Sequence, residues 1–363
     1  MTTVPAMMRA AVYFGPGDVR ITAIPVPEPA PGEVLIKVAV AGICGSDAAE
    51  YAHPRLIRTK ADGSTDVVIL GHEFAGEIVA LGPGVSAGLL GQRVACGAGI
   101  SCGDCAMCAR GRTNLCASYH TLGFQRDGGM AEYVTAPESI CVPIGERGLS
   151  TDTAALAQPM AIAVHARSRG QVRDGQVVLI IGAGGIGVFL TYACAAAGAE
   201  VWVADIVDDR LALAGALGAT RVINSRTVEP AVALAGAGAQ AETIFEVSGS
   251  AAGLDAALRT ARPGARLVAV GIQESSGQAR FADWTLREYD ILGAVAHVCA
   301  TDLPAALDLL AADGAAWTRI APAVLPLDAL VEDGLVALGA GRPARIKTLF
   351  DPGATTPRAA AHA

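Results

Sequence analysis

The chain has 363 residues, 52% of them hydrophobic and 17% charged, with a formal net charge of −8 at pH 7. This composition excludes an intrinsically disordered chain, and the length is enough for two domains with cores of their own. The acidic balance, with no cluster of five or more basic residues, excludes nucleic acid and anionic membranes as expected partners.

The first part of the chain, to about residue 155, reads as β-rich. Short strand candidates at 9–14, 34–40, 67–70, 77–80 and 131–135 are separated by Gly- and Pro-rich turns, which suggests a barrel or sandwich. The run 25–32 carries four prolines and is expected to be an extended loop, because proline has no N–H to give a ladder. From about residue 160 the pattern changes. Strands at 177–181, 200–204, 221–223, 243–247, 266–270 and 289–292 alternate with alanine-rich helices at 186–197, 208–217 and 251–260. This is the βαβ pattern of a doubly wound parallel sheet with helices on both faces. The segment 177–199 is uncharged and long enough to span a bilayer, but Gly182, Gly184, Gly185 and Gly187 interrupt it, so strand, turn and buried helix is the better reading. Beyond residue 298 come helix candidates at 303–312 and 327–338 and a last strand at 344–350 that returns to the first domain. Residues 355–363 carry no pattern and are expected to be disordered. The expected division is thus a β domain, 1–159 with 298–363, around an α/β domain, 160–297.

Nine cysteines set the chemistry. The N-terminal residues lack the apolar core of a signal peptide, so a reducing, cytoplasmic setting is expected, in which clustered cysteines bind metal rather than pair. Cys102-x2-Cys105-x2-Cys108-x7-Cys116 offers four thiolates to one tetrahedral Zn²⁺ with no open position, a structural clamp for a lobe with few apolar residues. Cys96, Cys141, Cys194 and Cys299 fall outside the pattern and read as buried spacers. Gly182-Ala-Gly184-Gly185-Ile186-Gly187 follows an apolar strand and opens a helix, the context in which such glycines cradle a pyrophosphate at a helix N-terminus. Asp205 ends the next strand. Its carboxylate accepts from a ribose diol and repels a 2′-phosphate, and Ile206 and Val207 offer such a phosphate no charge, so NAD is expected over NADP.

A second metal site is expected around Ile69-Leu-Gly71-His72-Glu73-Phe-Ala-Gly76, where an imidazole and a carboxylate sit at the turn of an apolar segment. Cys44-Gly-Ser46-Asp47 upstream supplies a thiolate. Gly71-His72-Glu73-x2-Gly76-x5-Gly82-x2-Val85 resembles the signature of zinc-containing alcohol dehydrogenases of the medium-chain dehydrogenase/reductase family. The resemblance runs from about residue 8 to 352, and its details look most like butanediol and sorbitol dehydrogenases. It implies a GroES-like β-barrel catalytic domain split around a Rossmann domain. It also implies two zinc ions per chain, and reversible oxidation of a secondary alcohol, diol or polyol to a ketone with NAD.

By this resemblance Cys44 and His72 bind the catalytic zinc. The family's third ligand position, Cys or Glu elsewhere, is Gln158 here. A neutral amide is a weak ligand, whereas the Cys44 thiolate and Glu73 carboxylate together cancel Zn²⁺, so Cys44, His72 and Glu73 are taken as the ligands and Gln158 as a neighbour of the metal-bound water. Ser46 matches the family's first proton-relay group. The histidine that often follows in the relay is Ala49 here, and either His53, one helical turn on, or water is expected to take its part. Arg210 resembles the residue that frames the adenosine ribose, Val247, Gly271 and Ile272 flank the nicotinamide, and Lys347 resembles the residue that pairs with the pyrophosphate. His165 reads as an interior histidine, and His120, His297 and His362 carry no signal of their own. The expected partner is a small alcohol or ketone, and the expected assembly a homodimer or homotetramer. Two other readings are a reductase of the same fold without catalytic zinc and a non-catalytic dinucleotide-binding protein. Intact Cys44, His72 and Ser46 speak against both.

Overall fold

In a computed structural model the described residues are 4–54, 56–57, 65–273, 281–341 and 345–362. They form two compact units, Met1–Gln158 with Val298–Ala363, and Pro159–His297.

The second unit is the simpler. Six parallel strands lie in the order Arg221–Asn224, Glu200–Asp205, Val177–Ile181, Thr243–Glu246, Arg266–Ala269 and Asp290–Gly293. The first-formed strand is central and the order reverses beside it, which is the Rossmann arrangement with its switch point between Val177–Ile181 and Thr243–Glu246. Val177–Ile181 reads as a continuous apolar run because helices cover both faces of a parallel sheet. Helix Gly187–Ala195 is apolar nearly all round and buried along most of its length. Helices Pro230–Gly236 and Phe281–Arg287 complete the unit and are not evident in the sequence, being seven residues each.

The first unit is built on a sheet of eight strands among the described residues. Glu33–Gly42 is its hub, paired antiparallel with Glu73–Leu81, Tyr133–Pro137 and Leu349–Asp351. A second, three-stranded sheet joins Asp18–Pro25, Met7–Gly15 and Val68–Ile69. Ile36, Phe74, Ile78, Leu122 and Phe350 share the core between them. Together with the Rossmann unit this is the expected fold class. No helix among the described residues is long and apolar enough to cross a membrane.

Several local expectations are corrected. The strand expected at 77–80 starts at Glu73, so Glu73 is a strand residue rather than a turn residue. Asp18–Pro25 is a strand although none of its side chains is buried, which hid it from an alternation test. The helix expected at 327–338 is a 3-10 turn, a π-helical segment Leu330–Val336 and a last α turn. The last strand is only Leu349–Asp351, and Ala344 lies outside the described residues.

The C-terminal residues are not disordered. Arg358–Ala359 pairs antiparallel with Ala323–Pro326. The Arg358 guanidinium grips both oxygens of buried Asp152 at 2.6 and 2.8 Å, and the Ala361 N–H adds a third bond at 2.7 Å. His362 bridges Thr153 and the Ala321 carbonyl. Burial pushes the Asp152 carboxyl up, but Arg358 and the Ala361 N–H hold it below its ordinary value. A carboxylate with a depressed pKa contributes stability above its unfolded pKa and loses it as pH falls through the folded one. Asp152→Asn is expected to cost about 2 kcal/mol in urea denaturation at pH 7. The figure is moderated because the Arg358 side chain is 40% exposed. The difference should shrink below pH 4, and a gap unchanged at pH 3 would show that charge is not its source.

Candidate metal centres and dinucleotide site

Cys44 stands at the N-terminus of helix Gly45–Ala52, where the helix dipole favours a thiolate. Its N–H donates to Asp47 Oδ2 at 2.8 Å. The other Asp47 oxygen lies 3.4 Å from His72 Nδ1, with both residues buried. A carboxylate facing Nδ1 fixes the tautomer that keeps the Nε2 lone pair free for a metal. Burial pushes the His72 imidazole down, but Asp47 and then Cys44 outweigh it and hold it well above its ordinary value. The His72 ring packs on Phe124 with centroids 5.0 Å apart.

The aim of His72 comes from the backbone before it. Gly71 has φ +100°, and a Cβ there would meet Met130 Cγ at 2.6 Å and Met130 N at 2.8 Å. The Gly128 and Gly129 region folds over this turn, with Gly129 N–H donating to the Gly71 carbonyl at 2.8 Å. Ligand atoms of Cys44, His72 and Glu73 lie within 4.8 Å of one another, close enough to share an ion. A thiolate, an imidazole and a carboxylate are a donor set suited to Zn²⁺.

Glu73 is less free than its sequence suggests. Lys347 Nζ donates to its two oxygens at 2.5 and 2.6 Å and to the Ile43 carbonyl at 3.2 Å. All three ammonium protons are thereby used within the first unit, so Lys347 departs from the expected pairing with a pyrophosphate. The charge count changes too. Glu73 is compensated by Lys347, which leaves Cys44 and Asp47 as the acidic groups around His72. Burial pushes the Lys347 ammonium down, and Glu73, Cys44 and Asp47 hold it up.

Ser46 Oγ lies 3.5 Å from His72 Nε2, on the ligand side of the imidazole. His53 caps the far end of helix Gly45–Ala52 and is exposed, so the helix length, about 10 Å, separates it from Ser46. The two do not form a direct relay. Gln158 is buried in the same unit, and its Oε1 has no hydrogen-bond partner among the described residues. Its free atom is an acceptor.

Cys102, Cys105, Cys108 and Cys116 converge, with Sγ–Sγ distances of 3.3 Å (102 to 116), 3.6 Å (105 to 108) and 4.0 Å (102 to 108). Cys116 Sγ accepts the N–H groups of Cys102 and Ser118 at 3.2 and 3.3 Å. Backbone N–H groups of Cys108 and Ala117 pull the Cys105 thiol down to about 6, while Asp104 and Cys116 leave Cys102 up at about 12. Thiols this close and this unequal suit a metal that takes the place of their protons. The four remaining sequence outliers, Cys96, Cys141, Cys194 and Cys299, are buried or half-buried and unpaired by disulfides.

In the second unit Gly182 has φ +105°, and a Cβ on Gly187 would stand 1.9 Å from the Gly182 carbonyl oxygen. Gly184 and Gly185 face open space, a cradle for a phosphate that side chains would fill. Ile186 precedes helix Gly187–Ala195, as the motif requires. Asp205 is buried. Its Oδ2 accepts the Ala183 N–H at 2.7 Å, and Oδ1 accepts those of Ile206 and Val207 at 2.7 and 2.9 Å. Asp205 therefore shapes the glycine turn itself, with one lone pair of Oδ2 left for a hydroxyl. Arg210 is half-buried on helix Asp208–Ala216. Val247 N–H donates to the Ile181 carbonyl, and Gly271 and Ile272 follow strand Arg266–Ala269, Ile272 being 75% exposed. Reading the sequence missed the part of Asp47 and of Phe124. The frame Cys44-Gly-Ser46-Asp47 contained the first in plain view, whereas no local pattern marks Phe124.

These sites coincide with what comparison with known proteins finds. Residues 30–146 match the alcohol dehydrogenase GroES-like domain, and residues 185–312 match the zinc-binding dehydrogenase domain. Sorbitol dehydrogenase of Bacillus subtilis (strain 168) is 35% identical over 274 residues, covering 74% of this chain and 76% of that protein. The crystal structure of 2R,3R-butanediol dehydrogenase from Bacillus subtilis superposes with a TM-score of 0.84 at 29% identity, covering 95% of this chain and 100% of that one. The alcohol dehydrogenase rspB of E. coli CFT073, complexed with NADH, gives 0.86 at 27% identity, covering 96% and 100%. With both domain signatures, both cysteine-bearing centres and a dinucleotide-type glycine turn in one chain, the protein belongs to the zinc-type alcohol dehydrogenases of the medium-chain dehydrogenase/reductase family.

Proposed function

We propose that the protein interconverts a secondary alcohol, diol or polyol with its ketone, using NAD and two zinc ions per chain, one catalytic and one structural. The observation that carries this reading is the convergence of Cys44, His72 and Glu73 with Ser46 Oγ 3.5 Å from the imidazole Nε2. When bound, the catalytic zinc polarises the alcohol oxygen and the nicotinamide accepts the hydride.

The chain's own residues do the rest. Asp47 holds the imidazole with Nε2 toward the ligand position. Cys44, at the N-terminus of helix Gly45–Ala52, supplies the sulfur ligand. Ser46 takes the hydroxyl proton and passes it to water, since His53 is out of its reach. Lys347 keeps the Glu73 charge compensated, and each Glu73 oxygen retains a lone pair with which it would join Cys44 and His72 as a ligand. The free Gln158 Oε1 accepts from a hydroxyl of the bound alcohol. The two rival readings, a zinc-less reductase and a non-catalytic dinucleotide binder, give no account of a thiolate, imidazole and serine hydroxyl brought to one point.

NAD preference rests on Asp205, whose carboxylate keeps one lone pair for a ribose hydroxyl and repels a 2′-phosphate. Arg210 frames that ribose. A cytoplasmic location is supported by nine cysteines without a disulfide. A homodimer or homotetramer is proposed on the family resemblance. The test is oxidation of a panel of secondary alcohols, diols and polyols with NAD⁺ or NADP⁺. The unmodified protein should favour NAD⁺ by about tenfold to a hundredfold in kcat/KM. Asp205→Ser with Ile206→Arg should reverse the order. Better turnover with NADP⁺ in the unmodified protein would refute the cofactor assignment, and no turnover with any alcohol would refute the activity.

A further inference from the structure

The carboxylate of Glu246 ends strand Thr243–Glu246 and is fully buried, and no cation pairs with it among the described residues. A buried charge without a counter-charge is costly unless hydrogen bonds satisfy it. Here they do. Oε1 accepts from Ser248 N at 2.8 Å, Ser248 Oγ at 2.5 Å and Gly249 N at 3.1 Å. Oε2 accepts from Gln273 Nε2 at 2.5 Å. The Glu246 carbonyl also accepts from Val270 N and Gly271 N at 2.8 and 3.0 Å. One residue thus ties the loop after its own strand to the loop after the neighbouring strand, Arg266–Ala269.

The first of those loops stands where the sheet order reverses and touches the glycine turn. A Cβ on Gly182 would lie 2.8 Å from Ser248 N. A Cβ on Gly271 would lie 2.2 Å from Gly249 N and 2.9 Å from Glu246 Oε2. The bonds continue outward, because Ser248 Oγ lies 2.9 Å from Ser250 Oγ, which accepts the Gly253 N–H at the start of helix Ala251–Thr260.

We infer that Glu246 and Gln273 form a clasp that sets the cofactor crevice, with Glu246 as a positioning residue for dinucleotide binding. This rests on the NAD reading above. The polarity of the clasp is fixed. A carboxylate only accepts, so Gln273 must present its NH₂ group, and this leaves Gln273 Oε1 buried without a donor among the described residues. The arrangement therefore has a chemical mirror image. If the two side chains were exchanged, the amide oxygen at position 246 would accept from the Ser248 and Gly249 loop. Its NH₂ would donate to the carboxylate at position 273. A purely volumetric role for these residues would not care which of the two carries the charge.

The test uses NADH binding by fluorescence, steady-state kinetics and hydrogen exchange on four proteins: unmodified, Glu246→Gln, Gln273→Glu, and the double swap. Gln273→Glu faces two carboxylates across the clasp and should weaken NADH binding and raise KM for NAD⁺ by about tenfold or more, with kcat within about twofold. Glu246→Gln turns charge-assisted bonds into neutral ones and should weaken binding by about tenfold. The double swap should recover to within about threefold of the unmodified protein. Amides of 246–253 and 270–273 should exchange faster in both single variants and regain protection in the double. If Gln273→Glu does not fold, Glu246→Gln and the double swap decide the matter by the same measures. The inference is overturned if the single variants bind NADH as the unmodified protein does, or if the double swap is no better than Gln273→Glu. An unmodified protein that binds no NADH would overturn the NAD reading and this inference together, a result distinct from normal binding unaffected by the swaps.

Discussion

Lys347→Met is expected to destabilise the first unit by about 3–5 kcal/mol in urea denaturation at neutral pH, metal content being matched. Glu73 is fully buried, and the ammonium holds both of its oxygens. Removing the cation leaves a carboxylate with neither water nor counter-charge, which costs far more than the pair itself contributes. The double variant Lys347→Met, Glu73→Gln should regain much of the loss, because it removes the stranded charge as well. The pH dependence has a definite sign. The Lys347 ammonium is held above its ordinary value, so its contribution is complete below the unfolded pKa, near 10.5, and disappears as pH rises through the folded one. A loss under about 1 kcal/mol, or a double variant as unstable as the single, would show that Glu73 finds another partner in the folded state.

Cys116→Ser is expected to remove the structural one of the two zinc ions proposed per chain and to lower the thermal midpoint by about 10 °C. Cys116 is the most enclosed of the four thiols and accepts two backbone N–H groups, so no other side chain can take over its geometry. The lobe around it has two short 3-10 turns and few buried apolar side chains. Its order therefore depends on the ion rather than on a core. Zinc should also leave this site as the solution is acidified, because protons compete for the thiolates, of which Cys105 is held down at about 6. Metal analysis and calorimetry check both points. Two zinc ions and an unchanged midpoint in Cys116→Ser would show that the lobe is held by other means.

Much of this molecule was open to reading in one dimension. The central strand of the second unit, Val177–Ile181, announces itself because cover on both faces leaves it no polar position. The four-cysteine lobe and the glycine turn are local, so spacing alone brings their atoms together. What escaped was non-local or chemically reciprocal. Asp18–Pro25 lies on the outside of its sheet and shows no buried face. The final residues look featureless until Asp152, more than 200 positions earlier, is seen to hold Arg358. Glu73 and Lys347, 274 positions apart, each looked available to a ligand, and only their meeting shows that they occupy each other. A partner far along the chain leaves no periodic trace, and a charged residue gives no hint whether its counter-charge is a metal, a cofactor or a neighbour.

The discontinuity of the first unit has a consequence for how the chain is made. Strand Glu33–Gly42 pairs with Leu349–Asp351, more than 300 residues later. At a synthesis rate of about 5–20 residues per second, the earlier strand waits roughly 15–60 s for that neighbour. The second unit is contiguous, Pro159–His297, and has every strand of its sheet within itself, so it can close while the ends of the first unit are still apart. Its closure turns a long flexible insertion into a compact one, and the remaining loop closure becomes entropically cheaper. Until then the exposed edge of Glu33–Gly42 is an open template for pairing with other nascent chains. Aggregation during synthesis should therefore track the arrival of the last fifteen to twenty residues, and a chain truncated before Leu349 should be far more dependent on chaperones than one lacking any surface loop.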